Sequence, residues 1–244
     1  MKLKIRWHDR LGSTNQHLKK EIMEGKMIPS GTLIATHDQT NGTGRFDRPW
    51  IAPPHTNLCF SIYHTTNAPL TAIPSLTMAT TLAVHDLLRS RRITAQPKWP
   101  NDLLVRGKKI CGILSEHIEH PITHQKGIIT GIGLNVNLTT TQASTIDQPA
   151  TSMLIETDTT HSLEATLEDL LPHLSFWFKQ WQTNYFNAIR APWEALTGPL
   201  GRPLKIRDGN QTQSGTLAGY GENGELLLQT NQGIQPIWSG EIPL

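Results

Sequence analysis

Two neighbouring segments of the chain concentrate side chains that could bind a polyanion. The first is Lys98-Trp99-Pro100-Asn101-Asp102, and the second is Lys108-Lys109-Ile110-Cys111-Gly112-Ile113-Leu114. Lysines can neutralise phosphate, a carboxylate can hold a metal ion, and the Trp-Pro pair stiffens the corner between them. A segment that only builds a core seldom places Lys, Asn and Asp side by side. We therefore predict a site for a polyanionic ligand at this corner.

A second candidate segment combines glycines, arginines and an aromatic residue before residue 51. Gly42 and Gly44 let backbone N–H groups approach an anion closely. Arg45 and Arg48 carry guanidinium groups suited to phosphate, and Trp50 offers an aromatic face. The pattern is neither a P-loop nor a dinucleotide fingerprint, because the residues that complete those motifs are missing. By itself it fits either an anion-binding loop or an ordinary hairpin loop.

The N-terminal elements are predicted to carry further polar residues. Residues 3–8 alternate as an edge strand does. Ser13 followed by Gln16 fits a capping box, so a helix should begin there. Ser13 and Thr14 either only cap this helix or also hold a polar ligand group at its positive N-terminus. The same periodicities predict strands over 32–36 and 57–64 and a helix over 72–92.

The two lysine-containing segments are predicted to form a hairpin with a basic tip. Residues 102–105 form one strand, residues 106–108 the turn and residues 109–118 the return strand. Lys109 heads the return strand three residues before Gly112, where a bare backbone would let a ligand lie close. A third strand over 128–136 contains Gly131, Gly133 and Asn135, which either leave room for a ligand or mark a bend.

The C-terminal half predicts helices and a second small unit. Residues 162–189 carry an apolar and aromatic stripe typical of a core helix, interrupted by Pro172. Residues 192–199 are bounded by prolines and indicate a linker, and the remainder holds short strands with glycine turns. We therefore expect an α+β fold with a mixed β-sheet and flanking helices over 1–191. A linker over 192–199 and a small C-terminal β-barrel over 200–244 should follow.

Bulk composition limits the function classes. The chain has 244 residues, a hydrophobic fraction of 37% and a net charge of +2, which gives no strong basic field for nucleic acid. Apolar runs stay well short of the roughly 20 residues that span a bilayer, and the N-terminus lacks a signal-peptide pattern. Cys59 and Cys111 lie inside predicted strands without motif spacing. We expect a cytoplasmic, reduced protein with no nucleic-acid or membrane partner.

Taken in order, these motifs resemble those of the biotin protein ligases (biotin–[acetyl-CoA carboxylase] ligases). The matching segments are Ser13-Thr14-Asn15, the glycine-arginine loop ending in Trp50, Lys98 to Asp102, Lys108-Lys109 before Gly112, Gly131 to Asn137, and Pro236 to Ile242. The resemblance covers nearly the whole chain. It implies the fold of the biotin/lipoate ligase type and a two-step reaction. Biotin's carboxylate attacks the α-phosphate of ATP to give biotinyl-5′-AMP and pyrophosphate, and a lysine of a biotin carboxyl carrier domain then displaces AMP.

The resemblance also implies roles for individual residues. The implied catalytic residues are Lys109, which would lie between the biotin carboxylate and the α-phosphate, and Arg45. The implied biotin-binding residues are Ser13, Thr14, Asn15, Gln39, Gly42, Thr43, Gly44, Arg45, Lys109 and Gly112. The implied adenylate-binding residues are Arg45, Arg48, Trp50, Lys98, Asn101, Asp102 and Asn135. Magnesium should bridge the phosphates, with Asp102 as its candidate carboxylate ligand. The carrier domain is the expected partner, and homodimers are common in the family.

Two departures from the family pattern affect these expectations. The family loop commonly reads Gly-Arg-Gly-Arg, whereas Thr43 stands at the first arginine position here, which predicts a leakier adenylate intermediate. The first motif begins at Ser13, leaving no room for the N-terminal helix-turn-helix domain of some members, so we expect no repressor role of that kind. A lipoate protein ligase and a non-catalytic biotin-binding regulatory protein are the alternatives. The Lys-Trp-Pro-Asn-Asp corner favours biotin over lipoate.

Overall fold

A seven-stranded mixed sheet organises the computed structural model, which describes residues 3–209 and 211–243. Its strands and those of a two-stranded ribbon (β3 and β4) are β1 (Lys4–Leu11), β2 (Thr32–Gln39), β3 (Gly42–Thr43), β4 (Pro49–Trp50), β5 (Asn57–Thr65), β6 (Gln96–Lys98), β7 (Asp102–Val105), β8 (Lys108–Glu119) and β9 (Lys126–Asn135). The helices are α1 (Thr14–Met23), α2 (Ile73–Ser90), α3 (Thr140–Ala143), α4 (Met153–Thr157) and α5 (Leu163–Leu196). The mixed sheet with flanking helices confirms the predicted fold class.

The strand order brings distant parts of the sequence together. The seven strands run β1-β2-β5-β9-β8-β7-β6, with β1 parallel to β2 and the other neighbours antiparallel. Strand β1 lies at the edge, as predicted. In the centre, Gly133 of β9 pairs with Cys59 of β5 on one side and with Gly112 of β8 on the other. This register gathers small residues from three strands at one place on the sheet.

Helices cover the two faces of the sheet unequally. Helices α2 and α5 pack on one face, where Phe60, Leu82 and Trp181 are buried in the main core. Helix α1 packs on the other face through Leu18 and Ile22 in a smaller cluster. Each fully buried side chain of this size contributes roughly 1.5–3 kcal/mol. The heavily packed face therefore stabilises the fold, and the other face has room for a site.

The C-terminal strands form an open sheet rather than the predicted barrel. Strands β10 (Pro203–Asp208), β11 (Gln211–Tyr220), β12 (Leu226–Thr230) and β13 (Gly233–Ile237) are antiparallel in that order. The prediction of a barrel is wrong because the two edge strands do not pair; a single bridge between Arg207 and Glu241 brings the chain end back to β10. The sheet shares the main core, and Trp99 Nε1 donates to Gly224 O at 3.1 Å.

Helix α5 differs from its predicted form at both of its prolines. Its non-helical dihedral angles lie at Asn184 and Tyr185, not at Pro172, where an interruption was expected. It continues to Leu196, so most of the predicted linker over 192–199 is helical. Trp193 fixes these last turns because it is fully buried and packs edge-on against the Tyr220 ring. Within the described ranges, no helix combines the length and the apolar character needed to cross a membrane.

A buried histidine lies between the sheet and helix α5. His64 is 2% exposed and its ring packs against Phe178 and Trp181, with centroid distances of 5.4 and 6.5 Å. Both ring nitrogens lack a hydrogen-bond partner among the residues that the structure describes. Burial lowers the pKa of His64 to about 4. The ring is therefore neutral at pH 7, whereas the unfolded chain takes up a proton near pH 6.5.

We expect His64 to make stability fall as the pH drops from about 6.5 toward 4. The folded-state pKa lies below the unfolded value, so protons bind the unfolded chain preferentially in this window. The free energy of unfolding should fall by about 2 kcal/mol between pH 7 and pH 5 from this group alone. Urea titrations at both pH values should show that His64→Leu removes this component. The exposed-site variant His117→Gln should retain it, and an unchanged pH dependence in His64→Leu would contradict the assignment.

Candidate functional site

A cavity of about 480 Å³ lies over the glycine-rich centre of the sheet, within the size range of small-molecule sites. Most predicted site residues line it: Ser13, Thr14, Asn15, Gln39, Thr43, Gly44, Arg45, Arg48, Trp50, Asn101, Asp102, Lys109, Gly112 and Asn135. Two predicted residues are outside the lining. Gly42 is buried beside Gln39, and Lys98 lies behind Asp102. The structure thus brings together residues from α1, β2, the Gly42–Trp50 loop, β7, β8 and β9.

One end of the cavity is a wall of uncharged polar groups at the start of α1. Ser13 is the N-cap, and its side chain accepts from Gln16 N at 3.4 Å, which confirms the predicted helix start. The Thr14 N–H donates to Gln39 Oε1 at 3.0 Å, joining the helix to the end of β2. Asn15 lies directly on Gly131, where an added Cβ would come within 2.3 Å of its Oδ1. These groups offer hydrogen bonds to a neutral polar ligand group.

The floor of the cavity is bare backbone beneath the Trp50 indole. A Cβ added at Gly133 would lie 2.4 Å from Trp50 Cε2, and one at Gly112 would lie 3.0 Å from Cζ3. Lys109 Nζ lies 5.5 Å from the Trp50 ring centroid, within cation–π range. The indole can lie flat only because both paired positions are glycine. Trp50 thus covers the part of the sheet where β8, the strand with Lys109 and Gly112, pairs with β9.

The opposite part of the cavity carries a charged cluster. Lys109 Nζ lies 2.7 Å from Asp102 Oδ1, and Lys98 Nζ lies 3.6 Å from Asp102 Oδ2. The Asp102 side chain is only 9% exposed. Burial lowers the pKa of Lys98, and the charge of Asp102 acts in the opposite direction. One carboxylate therefore holds two ammonium groups, and the cluster carries a net positive charge that an anion can neutralise.

The backbone of Lys109 is fixed from the neighbouring segment. Its N–H donates to Pro149 O at 2.8 Å, and its carbonyl accepts from Thr151 N at 3.0 Å. Asn135 Nδ2 also donates to the Lys109 carbonyl, at 3.2 Å, and to Thr151 O, at 3.0 Å, while its Oδ1 accepts from Asn57 Nδ2 at 3.1 Å. Since Asn135 donates to both carbonyls, it braces Lys109 while it also lines the cavity, and the adenine contact that the resemblance implies stays a prediction.

The arginine loop is held over the cavity by the chain end. Arg45 Nη1 donates to Gly240 O at 3.0 Å and to Asn101 Oδ1 at 3.4 Å. Arg48 forms an ion pair with Glu241. Burial lowers the pKa of Arg45, with Asp102 and Glu241 opposing the shift, and the guanidinium stays charged at neutral pH. Two guanidinium groups therefore line the same cavity as Lys109.

Several residues near the site were not predicted from the sequence. The cavity wall also contains Thr145, Ile146, Asp147, Gln148, Ala150 and Glu241. Ser61 and Glu116 contact Asn15 from behind the wall. The 145–150 segment has no motif, and its position follows from the bridge between Lys109 and Ala150. The alternation of residues along β5 and β8 could indicate the face of the sheet on which Ser61 and Glu116 lie. It does not indicate which residue each of them contacts.

The contacts of Asp102 bear on the predicted magnesium ligand. Two ammonium groups already face this carboxylate, and a dication beside them would be repelled. Across residues 3–209 and 211–243, no group of three or more His, Cys, Asp or Glu side chains is placed to hold a metal ion. Because Mg²⁺ is commonly held by one or two carboxylates together with substrate phosphates, the magnesium contact of Asp102 stays a prediction.

Comparisons with known proteins agree with this geometry. Residues 7–135 match the biotin/lipoate A/B protein ligase family. The bifunctional ligase/repressor BirA of Bacillus subtilis is 31% identical over 240 residues, which cover 98% of this chain and 73% of that protein. The biotin–[acetyl-CoA-carboxylase] ligase of Mycobacterium tuberculosis is 30% identical over 239 residues, covering 95% of this chain and 85% of that protein.

Solved structures show the same architecture. The biotin protein ligase from Aquifex aeolicus in complex with biotin and ATP superposes with a TM-score of 0.80 at 27% identity, covering 98% of this chain and 97% of that one. The match spans both the seven-stranded sheet and the C-terminal strands. The chain therefore belongs to the biotin/lipoate A/B protein ligase family, and it is an enzyme of the biotin protein ligase type.

Proposed function

We propose that this protein biotinylates a lysine of a biotin carboxyl carrier domain, such as that of acetyl-CoA carboxylase, through biotinyl-5′-AMP. The observation that supports the proposal is that a single cavity is lined both by uncharged polar groups and by cations. A neutral polar wall at Thr14 and Gln39 suits a ureido ring, and the cations Lys109 and Arg45 line the same cavity. A relative bound to biotin and ATP has the same fold.

The cations in the cavity would reduce the electrostatic repulsion between the two substrates in the first step. Biotin's carboxylate oxygen must bond to the α-phosphorus while the bond to the pyrophosphate oxygen breaks. At 4 Å two unit negative charges repel by about 4 kcal/mol at an effective dielectric of 20. Lys109 would offset this repulsion between the two anions, and Arg45 would stabilise charge on the phosphate. Asp102 orients the Lys109 ammonium group by holding it at 2.7 Å before substrates bind.

The second step needs no covalent enzyme intermediate. The ε-amine of the acceptor lysine attacks the carbonyl carbon of the mixed anhydride, and the bond to the phosphate oxygen of AMP breaks. The leaving group is anionic, so the same cations lower the energy of this step. Arg45 and Arg48, held at the cavity mouth by Gly240 and Glu241, would retain the adenylate until the acceptor arrives.

The polar wall favours biotin over lipoate. Thr14, Asn15 and Gln39 are hydrogen-bonding groups, and all three line the cavity. A dithiolane ring has no N–H group or carbonyl oxygen to exchange hydrogen bonds with this wall. A ureido ring supplies both donors and an acceptor. Pyrophosphate exchange that depends on lipoate and ignores biotin would reverse this choice.

Magnesium, location and assembly remain predictions. Magnesium would arrive on the nucleotide as part of the ATP substrate, since it commonly keeps few protein ligands beside the phosphates. A cytoplasmic location is expected from the composition and the cysteine usage, and a homodimer from the resemblance. Protein purified with and without a chelator, assayed for carrier-domain labelling, would test the metal requirement directly.

Replacing Lys109 should abolish most biotin transfer. Lys109→Ala removes the cation between the two anions, and loss of one such group costs about 10²–10³ in turnover. Transfer of biotin to a purified carrier domain, followed by mass spectrometry, gives the rate. Lys108→Ala is the matched control because it removes an exposed neighbouring lysine outside the cavity lining. Activity retained in Lys109→Ala would overturn its assignment.

The threonine in the arginine loop should make the intermediate leak. Thr43 is exposed and lines the cavity, so an arginine there could reach the adenylate. We expect Thr43→Arg to slow release of biotinyl-5′-AMP by about tenfold or more, since an added charged hydrogen bond is worth about 1.5–3 kcal/mol. Asp47→Asn changes the loop charge by the same amount outside the lining and serves as the control. Equal rates of biotinyl-5′-AMP release from the wild type and Thr43→Arg would contradict the hypothesis.

The ion pair between loop and chain end should affect adenylate retention modestly. Charge reversal of Arg48 or Glu241 alone breaks the pair, and the double reversal Arg48→Glu with Glu241→Arg restores it. Because an exposed pair contributes about 1 kcal/mol at most, each single change should speed release up to about fivefold. Recovery in the double variant measures the coupling. Additive effects, with no recovery, would mean that the pair does not hold the loop.

A further inference from the structure

A chain of short hydrogen bonds runs behind the polar wall, from a carboxylate outside the cavity to Thr14 within it. Asn15 Nδ2 donates to Glu116 Oε2 at 2.7 Å. Ser61 Oγ lies 2.5 Å from Asn15 Oδ1 and 2.7 Å from Thr14 Oγ1. Ser61 and Glu116 do not line the cavity, whereas Thr14 and Asn15 do.

The sheet register holds these groups together. Ser61 of β5 pairs with Gly131 of β9, and Glu116 of β8 pairs with Ile129 of the same strand. Asn15 spans the gap between them because Gly131 has no side chain. Thr14, Asn15 and Ser61 are 3%, 6% and 0% exposed, so water cannot readily replace any of these hydrogen bonds.

The direction of the chain follows from counting protons. A carboxylate only accepts, so the amide nitrogen of Asn15 must face Glu116 and its oxygen must face Ser61. Asn15 Oδ1 also only accepts, and at 2.5 Å two bare oxygens would repel, so Ser61 gives its single proton to Asn15. The 2.7 Å contact then requires Thr14 to donate its hydroxyl proton to Ser61.

This direction fixes what Thr14 presents to a ligand. Its proton is directed at Ser61, so its remaining oxygen lone pairs can only accept. Gln39 Oε1 keeps the Thr14 backbone N–H as its donor at 3.0 Å, and its 3.2 Å contact with the Thr14 hydroxyl carries no proton. An N–H donor on the ligand would therefore bind at Thr14, whereas an oxygen acceptor at the same place would meet lone pairs.

We propose that Glu116 is a positioning residue that sets this hydrogen-bond direction and makes the enzyme select ligands with an N–H at Thr14. The inference rests on the proposed function, in which that N–H belongs to the ureido ring of biotin. With a glutamine at 116, which can donate as well as accept, Asn15 can turn over. Ser61 and Thr14 would then reverse, and Thr14 would be free to donate.

The test compares biotin with its two isosteric carbamates, in which one or the other ring N–H is replaced by oxygen. Dissociation constants from calorimetry are measured for wild type, Glu116→Gln and Lys19→Gln. The last is the control, because Lys19 Nζ lies 3.6 Å from Glu116 Oε1 and its loss leaves the Asn15 contact intact. Wild type should prefer biotin to one carbamate by at least tenfold. Glu116→Gln should reduce that ratio several-fold, and Lys19→Gln should not.

Each outcome bears on the inference. An unchanged ratio for both carbamates in Glu116→Gln overturns it, even if biotin binds more weakly, because general damage to the site weakens all three ligands alike. If Glu116→Gln does not fold, Ser61→Ala cuts the same chain and should reduce the ratio equally; an unchanged ratio there also overturns the inference. Wild-type protein that fails to bind biotin at all would instead refute the proposed function.

Discussion

The ion pair between Lys109 and Asp102 is the interaction on which the rest of the site depends. The proposed first step brings two anions together and needs a cation between them, and a lysine in a partly closed cavity must be held in place before those anions arrive. Asp102 holds the ammonium group at 2.7 Å, and the backbone of Lys109 is fixed by Pro149, Thr151 and Asn135. An anionic ligand can then compete with Asp102 for a group that is already positioned, so little reorganisation is needed.

Local motifs were predictable from the sequence because their residues are neighbours in the chain. Ser13 as a helix cap, Lys109 at the head of a strand and the arginines beside Gly44 each follow from a few adjacent residues. The contributions of Ser61 and Glu116 were not predictable, since they depend on how three strands from different parts of the chain align. A shift of one residue in that register would turn both side chains to the other face of the sheet.

The failed predictions share a physical cause, which is that tertiary packing outweighs local signals. Pro172 and Pro192 lie within a helix because its buried residues, Trp181 and Trp193 among them, are tied into the main core. The C-terminal glycine turns predict strands correctly, but closure of a barrel depends on whether the edge strands pair, and β10 and β13 do not pair within residues 203–209 and 211–243.

The open C-terminal sheet has a consequence for the site. Gly240 and Glu241, just past its last strand, are the groups that hold Arg45 and Arg48 over the cavity. The same segment forms the bridge to Arg207, so the position of the loop depends on the docking of the whole C-terminal sheet. That docking is fixed by core packing and by the Trp99 bond to Gly224, next to the Lys98 corner. The Lys98–Asp102 corner and the arginine loop therefore share one structural support, the C-terminal sheet and the residues that follow it.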